Sequence, residues 1–347
     1  MIAVVERAAV TLAALAAVET LKYVPLPGIE VTALGSTLAT GMAPLARVST
    51  GSLNVWPLFT ACTAFEIWRM VIGRTRISWA NEKFVVPLAL MITAVQAYSM
   101  AEALATLRGF TSAGNLALVT DPVWPFVIST VVTPVAATAL ICWLANVVTR
   151  HGVGSGLWVL LTAPQAEAFV EFAAGWGPYQ TLGPKMTDAQ PLILAFVVAA
   201  TALMAALERA KAAGEPPTNI DPWAAAIAAS AAPYVYSAFS TIFSGSDPFA
   251  HGYFMTETAV AWHLYVITLA ALFTAVSLVR GARLGPRPLA HAIPSAFAGA
   301  AIILAADLVG PTDGPPLSGE NVIIGIATAL AVVRAVIPPL PQVPVAD

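Results

Sequence analysis

The chain has 347 residues, of which 58% are hydrophobic and only 10% are charged, whereas a soluble globular domain carries about 25% charged residues. Its mean hydropathy is +0.79. This composition excludes a water-soluble protein and predicts a chain that crosses a bilayer several times. The net charge of −3, with no basic stripe along the sequence, excludes nucleic acid as a partner.

Ten segments approach or exceed the roughly 20 residues that a helix needs to cross the hydrocarbon core. They are residues 5–24, 53–72, 84–107, 122–148, 154–174, 190–210, 222–243, 257–279, 289–309 and 319–338. The pairs Asp121-Pro122 and Asp221-Pro222 predict two helix starts, because Asp can cap free backbone amides and Pro suits the first helical position. Residues 8–18 could belong to a cleaved signal peptide, but the run continues to Lys22, so we expect a retained first span.

The distribution of basic residues gives the orientation of these spans. With ten spans, twelve of the 16 lysines and arginines fall on one side of the membrane. These twelve are Arg7, Arg69, Arg74, Arg76, Lys83, Arg150, Arg209, Lys211, Arg280, Arg283, Arg287 and Arg334. Because basic residues concentrate in cytoplasmic loops, both termini are predicted to lie in the cytoplasm.

Residues 31–50 differ from the spans, because they are mildly apolar and are interrupted by Gly35, Gly41 and Pro44. Such a segment is too weak to cross the bilayer. Irregular backbone at membrane depth is tolerated where it faces protein or a water-filled cavity, so we expect this segment to fold back into the protein from the outer side. An ordinary outer loop is the alternative.

The sequence carries no recognisable catalytic or cofactor motif. The glycine-rich residues 152–156 lack the Lys-Ser/Thr of a phosphate loop, and the four histidines are far apart. Cys62 and Cys142 lie in apolar stretches without a CxxC spacing, which is typical of small buried hydrophobic residues. We therefore expect no cofactor, no metal and no enzymatic activity.

Five stretches, in order along the chain, resemble one known family. Residues 143–156 read WLANVVTRHGVGSG and are similar to the signature WLxExITxxGIGNG that closes the fourth helix of the SecY family. Residues 53–61 read LNVWPLFTA and are similar to its second signature, LGIMPYISA. Residues 23–29 (YVPLPGI) resemble the family's exit from helix 1, Gln96 falls where its helix 3 has glutamine, and residues 207–209 (LER) resemble the VER that ends helix 6.

The chain also departs from the family pattern. Asn54 replaces a glycine, Glu66 replaces the glutamine that closes the second signature, and Asn146 replaces an acidic residue. The two cytosolic loops that dock the ribosome or the SecA motor in the family shrink here to residues 209–221 and 280–288. Standard ribosome or SecA docking is therefore in doubt.

The resemblance implies an all-α polytopic membrane protein with ten transmembrane helices in two inverted five-helix halves. Residues 1–174 would form the N-terminal half, with a short re-entrant plug at about 31–46, and residues 175–347 the C-terminal half. The implied function is that of a protein translocase channel, which moves unfolded polypeptides across the membrane or inserts them into it. An apolar constriction in such a pore holds back ions by dewetting when it is empty.

The resemblance also implies roles for individual residues. The pore ring would comprise Val55, Phe59, Leu157, Leu161, Val235 and Ile324. The lateral gate into lipid would include Pro57, Ala61, Pro233 and Tyr234. Arg150 and Arg287 would contact a cytosolic partner, and Glu167 and Glu171 would line the outer funnel. A translocating polypeptide or signal sequence would be the cargo, and a small SecE-like subunit is expected to clamp the two halves.

Ionisable residues within spans leave other functions open. Glu167 and Glu171 share one helix face, and residues that bind and release protons there would make the chain a proton-coupled small-solute transporter. A non-conducting structural membrane subunit is a third possibility. Glu66 and Arg69 lie one turn apart near a cytosolic helix end, where we expect a snorkelling ion pair.

Overall fold

A computed structural model describes residues 2–29, 48–72, 82–106, Val119, 123–163, 185–209, 222–244, 259–284, 286–309 and 319–336. Within these ranges the chain forms ten helices and no strand, as the sequence predicts. They are α1 (Ile2–Leu21), α2 (Trp56–Ile72), α3 (Glu82–Thr106), α4 (Val123–His151), α5 (156–163), α6 (Lys185–Arg209), α7 (Pro222–Ser244), α8 (Ala259–Leu284), α9 (Pro286–Val309) and α10 (Gly319–Val336).

Each predicted span coincides with one of these helices. α7 begins at Pro222, as the Asp-Pro pair predicts, whereas Asp121 and Pro122 lie outside the described residues. α5 covers only residues 156–163 of the span predicted over 154–174, and the remainder lies outside the described residues. By length and composition, three described stretches are long and apolar enough to cross a membrane. These are Phe84–Ala105, Val123–His151 and His263–Arg283.

One face of α4 shows why this fold belongs in a bilayer. Trp124, Ile128 and Val132 follow one another at a spacing of four residues and are 71%, 60% and 59% exposed. Residues at this spacing share a helix face. A row of large apolar side chains is unfavourable in water and is satisfied by lipid. The polytopic membrane architecture predicted from composition is therefore confirmed.

The chain divides into two compact units. Unit 1 comprises residues 1–65, 77–164 and 332–347, and unit 2 comprises residues 66–76 and 165–331. The predicted boundary between inverted halves, at residues 174 and 175, lies outside the described residues. The division into residues 1–174 and 175–347 therefore stays a prediction.

In unit 1, α4 packs against both α1 and α3. The Thr93 and Thr138 hydroxyls form a buried hydrogen bond of 3.1 Å between α3 and α4, and Thr93 also donates to the Ala89 carbonyl at 2.8 Å. Residues of α3, α4 and the segments between the helices form a small apolar core. Its buried members are Leu26, Ile29, Val48, Ala101, Leu104, Val119, Phe126 and Val127.

In unit 2, α8 packs against α7 and α9, and α9 also contacts α6. The α8–α9 contact is close because Phe273, which is fully buried, lies over Gly299. A Cβ at Gly299 would come within 2.2 Å of the Phe273 ring. Small residues at such positions let helices approach closely where lipid provides no hydrophobic driving force.

Candidate functional site

A tight turn before α2 fixes the first residues of that helix. The Gly51 amide donates to the Leu21 carbonyl at 2.9 Å, and a Cβ at Gly51 would lie 2.8 Å from the Leu21 carbonyl carbon. Asn54 has a φ of 47°, in the left-handed region that glycine prefers and asparagine tolerates best among the other residues. This explains how Asn54 can stand where the family signature has glycine.

A second turn, between α4 and α5, is held by two threonine side chains. The Thr11 hydroxyl of α1 accepts a hydrogen bond from the Val153 amide at 2.9 Å. The Thr149 hydroxyl of α4 accepts one from the Gly156 amide at 2.9 Å. These bonds satisfy backbone donors that would otherwise be unpaired next to a helix end. The glycine-rich motif is therefore a structural turn that positions the start of α5.

Gly156 brings the start of α5 against the last turns of α4. A Cβ at this position would lie 1.9 Å from the Ala145 carbonyl oxygen. Gly154, two residues earlier, has a φ of +80°, which favours glycine. The sequence between the two helices thus specifies both the sharp turn and the close approach.

These two turns position four of the predicted pore-ring residues in unit 1. Val55, Phe59, Leu157 and Leu161 are 1%, 7%, 2% and 7% exposed. Phe59 is the member whose contacts are most clearly defined. Its ring lies edge-on to Trp158 of α5, with centroids 6.2 Å apart, and edge-on to Trp56 at 5.6 Å. The structure thus brings Phe59 of α2 against Trp158 of α5.

The other predicted ring and gate residues are distributed over both units. In unit 2, Val235 of α7 is half-buried and Ile324 of α10 is buried. The gate residues Pro57 and Ala61 are buried in α2 within unit 1. In unit 2, Pro233 is half-buried, and Tyr234 is 72% exposed.

The remaining predicted residues lie at helix ends or outside the described ranges. Arg150 is exposed in the last turn of α4, on the side predicted to be cytosolic. Arg287 is the second residue of α9. Glu167, Glu171 and the plug segment 31–46 lie outside the described residues, so their roles stay predictions.

Sequence reasoning missed one charged cluster near the C-terminal end of α2. The predicted Glu66–Arg69 ion pair is confirmed, with an Nη1–Oε1 distance of 2.9 Å. The second carboxylate oxygen of Glu66 accepts from Nη1 of Arg280, on α8, at 3.0 Å. Because 214 residues separate Glu66 from Arg280, no local pattern in the sequence could have paired them.

No metal-binding cluster occurs among the residues that the structure describes: no three His, Cys, Asp or Glu side chains are grouped to hold an ion. Cys62 and Cys142 are buried free thiols. The described part of the site is therefore built from apolar side chains, close-packed glycines and one ionic cluster.

In sequence, the chain is similar to bacterial SecY proteins. It is 23% identical over 164 residues to the protein translocase subunit SecY of Buchnera aphidicola subsp. Baizongia pistaciae, across 40% of this chain and 35% of that protein. It is 25% identical over 202 residues to SecY of Aquifex aeolicus, across 51% of this chain and 44% of that protein. The chain thus matches less than half the length of these relatives. No protein-family model matches it.

In structure, the similarity extends over almost the whole chain. A solved protein-conducting channel superposes with a TM-score of 0.58 at 10% identity, covering 96% of this chain and 92% of that one. Sec61 from the canine ribosome–channel complex of the endoplasmic reticulum superposes with a TM-score of 0.57 at 11% identity, with the same coverage. The chain has the SecY/Sec61 fold, and the resemblance to SecY predicted from its motifs is confirmed.

Proposed function

We propose that this chain is a SecY-like protein translocase channel, which moves unfolded polypeptides across a membrane or inserts them into it without chemistry of its own. The observation that carries the proposal is the match of 96% of the chain to the fold of a protein-conducting channel. The order of the SecY-like motifs along the chain supports it independently. A partner or the membrane potential would supply the driving force.

The proposed pore ring consists of Val55, Phe59, Leu157, Leu161, Val235 and Ile324. All six are apolar, as a constriction requires if it is to exclude ions by dewetting. Phe59 supports the proposal most directly, because its edge-on contact with Trp158 orients a large ring at the junction of α2 and α5. A side chain of this kind can yield to a passing polypeptide and return without breaking any hydrogen bond.

The proposed lateral gate uses Pro57 and Ala61 of α2 and Pro233 and Tyr234 of α7. The small residues of α7 support this role. Five consecutive residues of this helix, from Ala224 to Ala228, are buried, and four of them are alanines. Helices that pack through small side chains can separate at little cost in lost contacts. Residues 31–46 would close the pore from the outside as a plug, and Glu167 and Glu171 would line the outer funnel.

The proposed partners follow from the short cytosolic loops. The predicted connection at 209–221 is shorter than the family's docking loop, and the one predicted at 280–288 is shorter still, because α8 ends at Leu284 and α9 begins at Pro286. A non-standard or dedicated partner would therefore replace the ribosome or SecA. Arg150, which is exposed, and Arg287 would attract its acidic surface, since cationic residues steer anionic partners. A SecE-like subunit would clamp the two halves. We place the chain in a bacterial-type inner membrane with both termini in the cytoplasm.

Photo-crosslinking tests the channel function directly. A photoreactive amino acid replaces Phe59 in one variant and Trp124, on the lipid-exposed face of α4, in a matched control. A secretory precursor is then arrested in transit by a folded domain at its C-terminus. We expect crosslinks to the precursor from position 59 and none from position 124. Equal yields at the two positions, or none at either, would contradict the proposal.

Purification in a gentle detergent from the native host tests the partners. Mass spectrometry of co-eluting proteins should identify a small SecE-like subunit and at least one cytosolic protein with an acidic surface. Recovery of the ribosome or SecA would assign the chain to general secretion and would overturn the dedicated-partner proposal. A chain that elutes alone would contradict the clamp and would favour a solute transporter or a structural subunit.

A further inference from the structure

Glu66 is held by two arginines at once. Its Oε1 accepts from Nη1 of Arg69 at 2.9 Å, and its Oε2 accepts from Nη1 of Arg280 at 3.0 Å. The side chains of Glu66, Arg69 and Arg280 are 14%, 32% and 21% exposed. Each carboxylate oxygen therefore has its own charge-assisted hydrogen bond, in surroundings that water only partly reaches.

The two bonds have different structural consequences. Arg69 is one turn from Glu66 on the same helix, so that bond stays within α2. Arg280 is near the end of α8, so the second bond ties the cytosolic end of α2 to α8. The division of the chain agrees with this, since residues 66–76 belong to unit 2 together with α8, whereas residues up to Phe65 belong to unit 1.

The tie between α2 and α8 is costly to break because of where it lies. Breaking a partly buried ion pair by removing one partner leaves the other charge desolvated and uncompensated. The Arg69 contact lowers this cost for Glu66 but does nothing to hold α8. Arg283, one turn beyond Arg280, is exposed and belongs to the last turn of α8, where it would interact with the helix dipole and with lipid headgroups.

We infer that the Glu66–Arg280 ion pair is a latch on the closed state of the channel. In this role the bond keeps the cytosolic end of α2 against α8, and α2 swings away only when the bond breaks. The inference rests on the proposed channel function, in which α2 carries both pore-ring and gate residues. A partner or a signal sequence would then open the channel by competing for either charge.

Planar-bilayer recordings of the purified protein test the latch. We expect Glu66→Gln and Arg280→Gln each to raise the open probability of the empty channel about tenfold, which corresponds to about 1.4 kcal/mol. The double variant should open no more than either single variant, because both remove the same bond. Arg280→Lys keeps the charge and should stay within threefold of the wild type.

Two matched controls separate the latch from a general effect of charge. Arg69→Gln removes the bond within α2 and leaves the tie to α8, and Arg283→Gln removes a charge from the same end of α8. Both should change the open probability by less than twofold. The latch would be overturned if Arg69→Gln raised the open probability as much as Glu66→Gln. It would also be overturned if the effects of the two single variants on the open probability added in the double variant.

Thermal unfolding provides a second readout that does not depend on conduction. If Glu66 and Arg280 interact, the decrease in Tm of the double variant should be smaller than the sum of the decreases in the two single variants. Gating unchanged by Glu66→Gln, in a protein that conducts when Phe59 is replaced by Gly, would refute the latch and leave the channel function standing. A protein that never conducts, even with Phe59→Gly, would refute both.

Discussion

Replacing Gly156 by Ala is the sharpest single test of the turn between α4 and α5. The added Cβ would lie 1.9 Å from the Ala145 carbonyl oxygen, 2.7 Å from its carbonyl carbon and 2.8 Å from its Cα. All three atoms belong to the backbone, so no side-chain rotation can relieve the overlap. Reaching an ordinary contact of 3.4 Å would require the two helices to separate by about 1.5 Å.

The expected loss of stability follows from that displacement. Overpacking a well-packed interior costs roughly 1–3 kcal/mol, and a shift of backbone against backbone puts Gly156→Ala at about 3 kcal/mol, the upper end of that range. For a compact unit of about 150–250 residues, 1 kcal/mol corresponds to about 2–4 °C in Tm. We therefore expect the Tm to fall by roughly 6–12 °C.

The assay is the temperature at which the detergent-solubilised protein loses its monodisperse size-exclusion peak, and two other glycines provide controls. A Cβ at Gly325, within α10, would meet nothing within 4 Å, so Gly325→Ala should stabilise by about 0.5–1 kcal/mol through lower chain entropy. In Gly154→Ala the left-handed backbone conformation would cost about 1–2 kcal/mol. The new Cβ would meet only a flexible methyl group of Val332. A Tm for Gly156→Ala within 2 °C of the wild type would refute the close approach.

Three further predictions concern conduction, partner recovery and the support of the turn. Phe59→Gly should widen the constriction and produce an ion leak in planar bilayers, and unchanged conductance at normal expression would place Phe59 elsewhere. Reversing Arg150 and Arg287 to Glu should lower the recovery of a cytosolic partner several-fold in co-purification, and unaltered recovery would restrict both arginines to setting topology. Thr11→Val should leave the buried Val153 amide unpaired and cost about 1–3 kcal/mol. Thr11→Ser keeps the hydroxyl and should cost only about 0.8 kcal/mol for the buried methyl group it removes; equal Tm values for the two variants would show that the bond contributes nothing.

The sequence predicted those features that depend on local composition and motif. Apolar length identified the ten helices of the described ranges, and the Asp-Pro pair located the start of α7 at Pro222. The Glu66–Arg69 pair followed from helical spacing. The span predicted over 53–72 begins later, at Trp56, because residues 51–55 form a turn in which Asn54 has a φ of 47°.

Features that depend on contacts distant in sequence were not predictable. Thr11 accepts from an amide 142 residues away, and Arg280 reaches a carboxylate 214 residues away. In each case the residue is unremarkable in its own helix, because a threonine or an arginine near a helix end has many ordinary roles. The edge-on contact of Phe59 with Trp158 is similar, since aromatic residues throughout an apolar chain give no indication of which two will meet.

The two arginines around Glu66 also bear on how the chain is made. Glu66 leaves the ribosome 214 residues before Arg280, which at about 5–20 residues per second is roughly 10–40 s. During that interval α2 must enter the bilayer with an acidic side chain whose distant counter-ion has not been synthesised. Arg69, only three residues away, is made almost simultaneously and can neutralise the carboxylate from the start. Arg69 would thus serve biogenesis, as the first counter-ion of a carboxylate that later also binds Arg280.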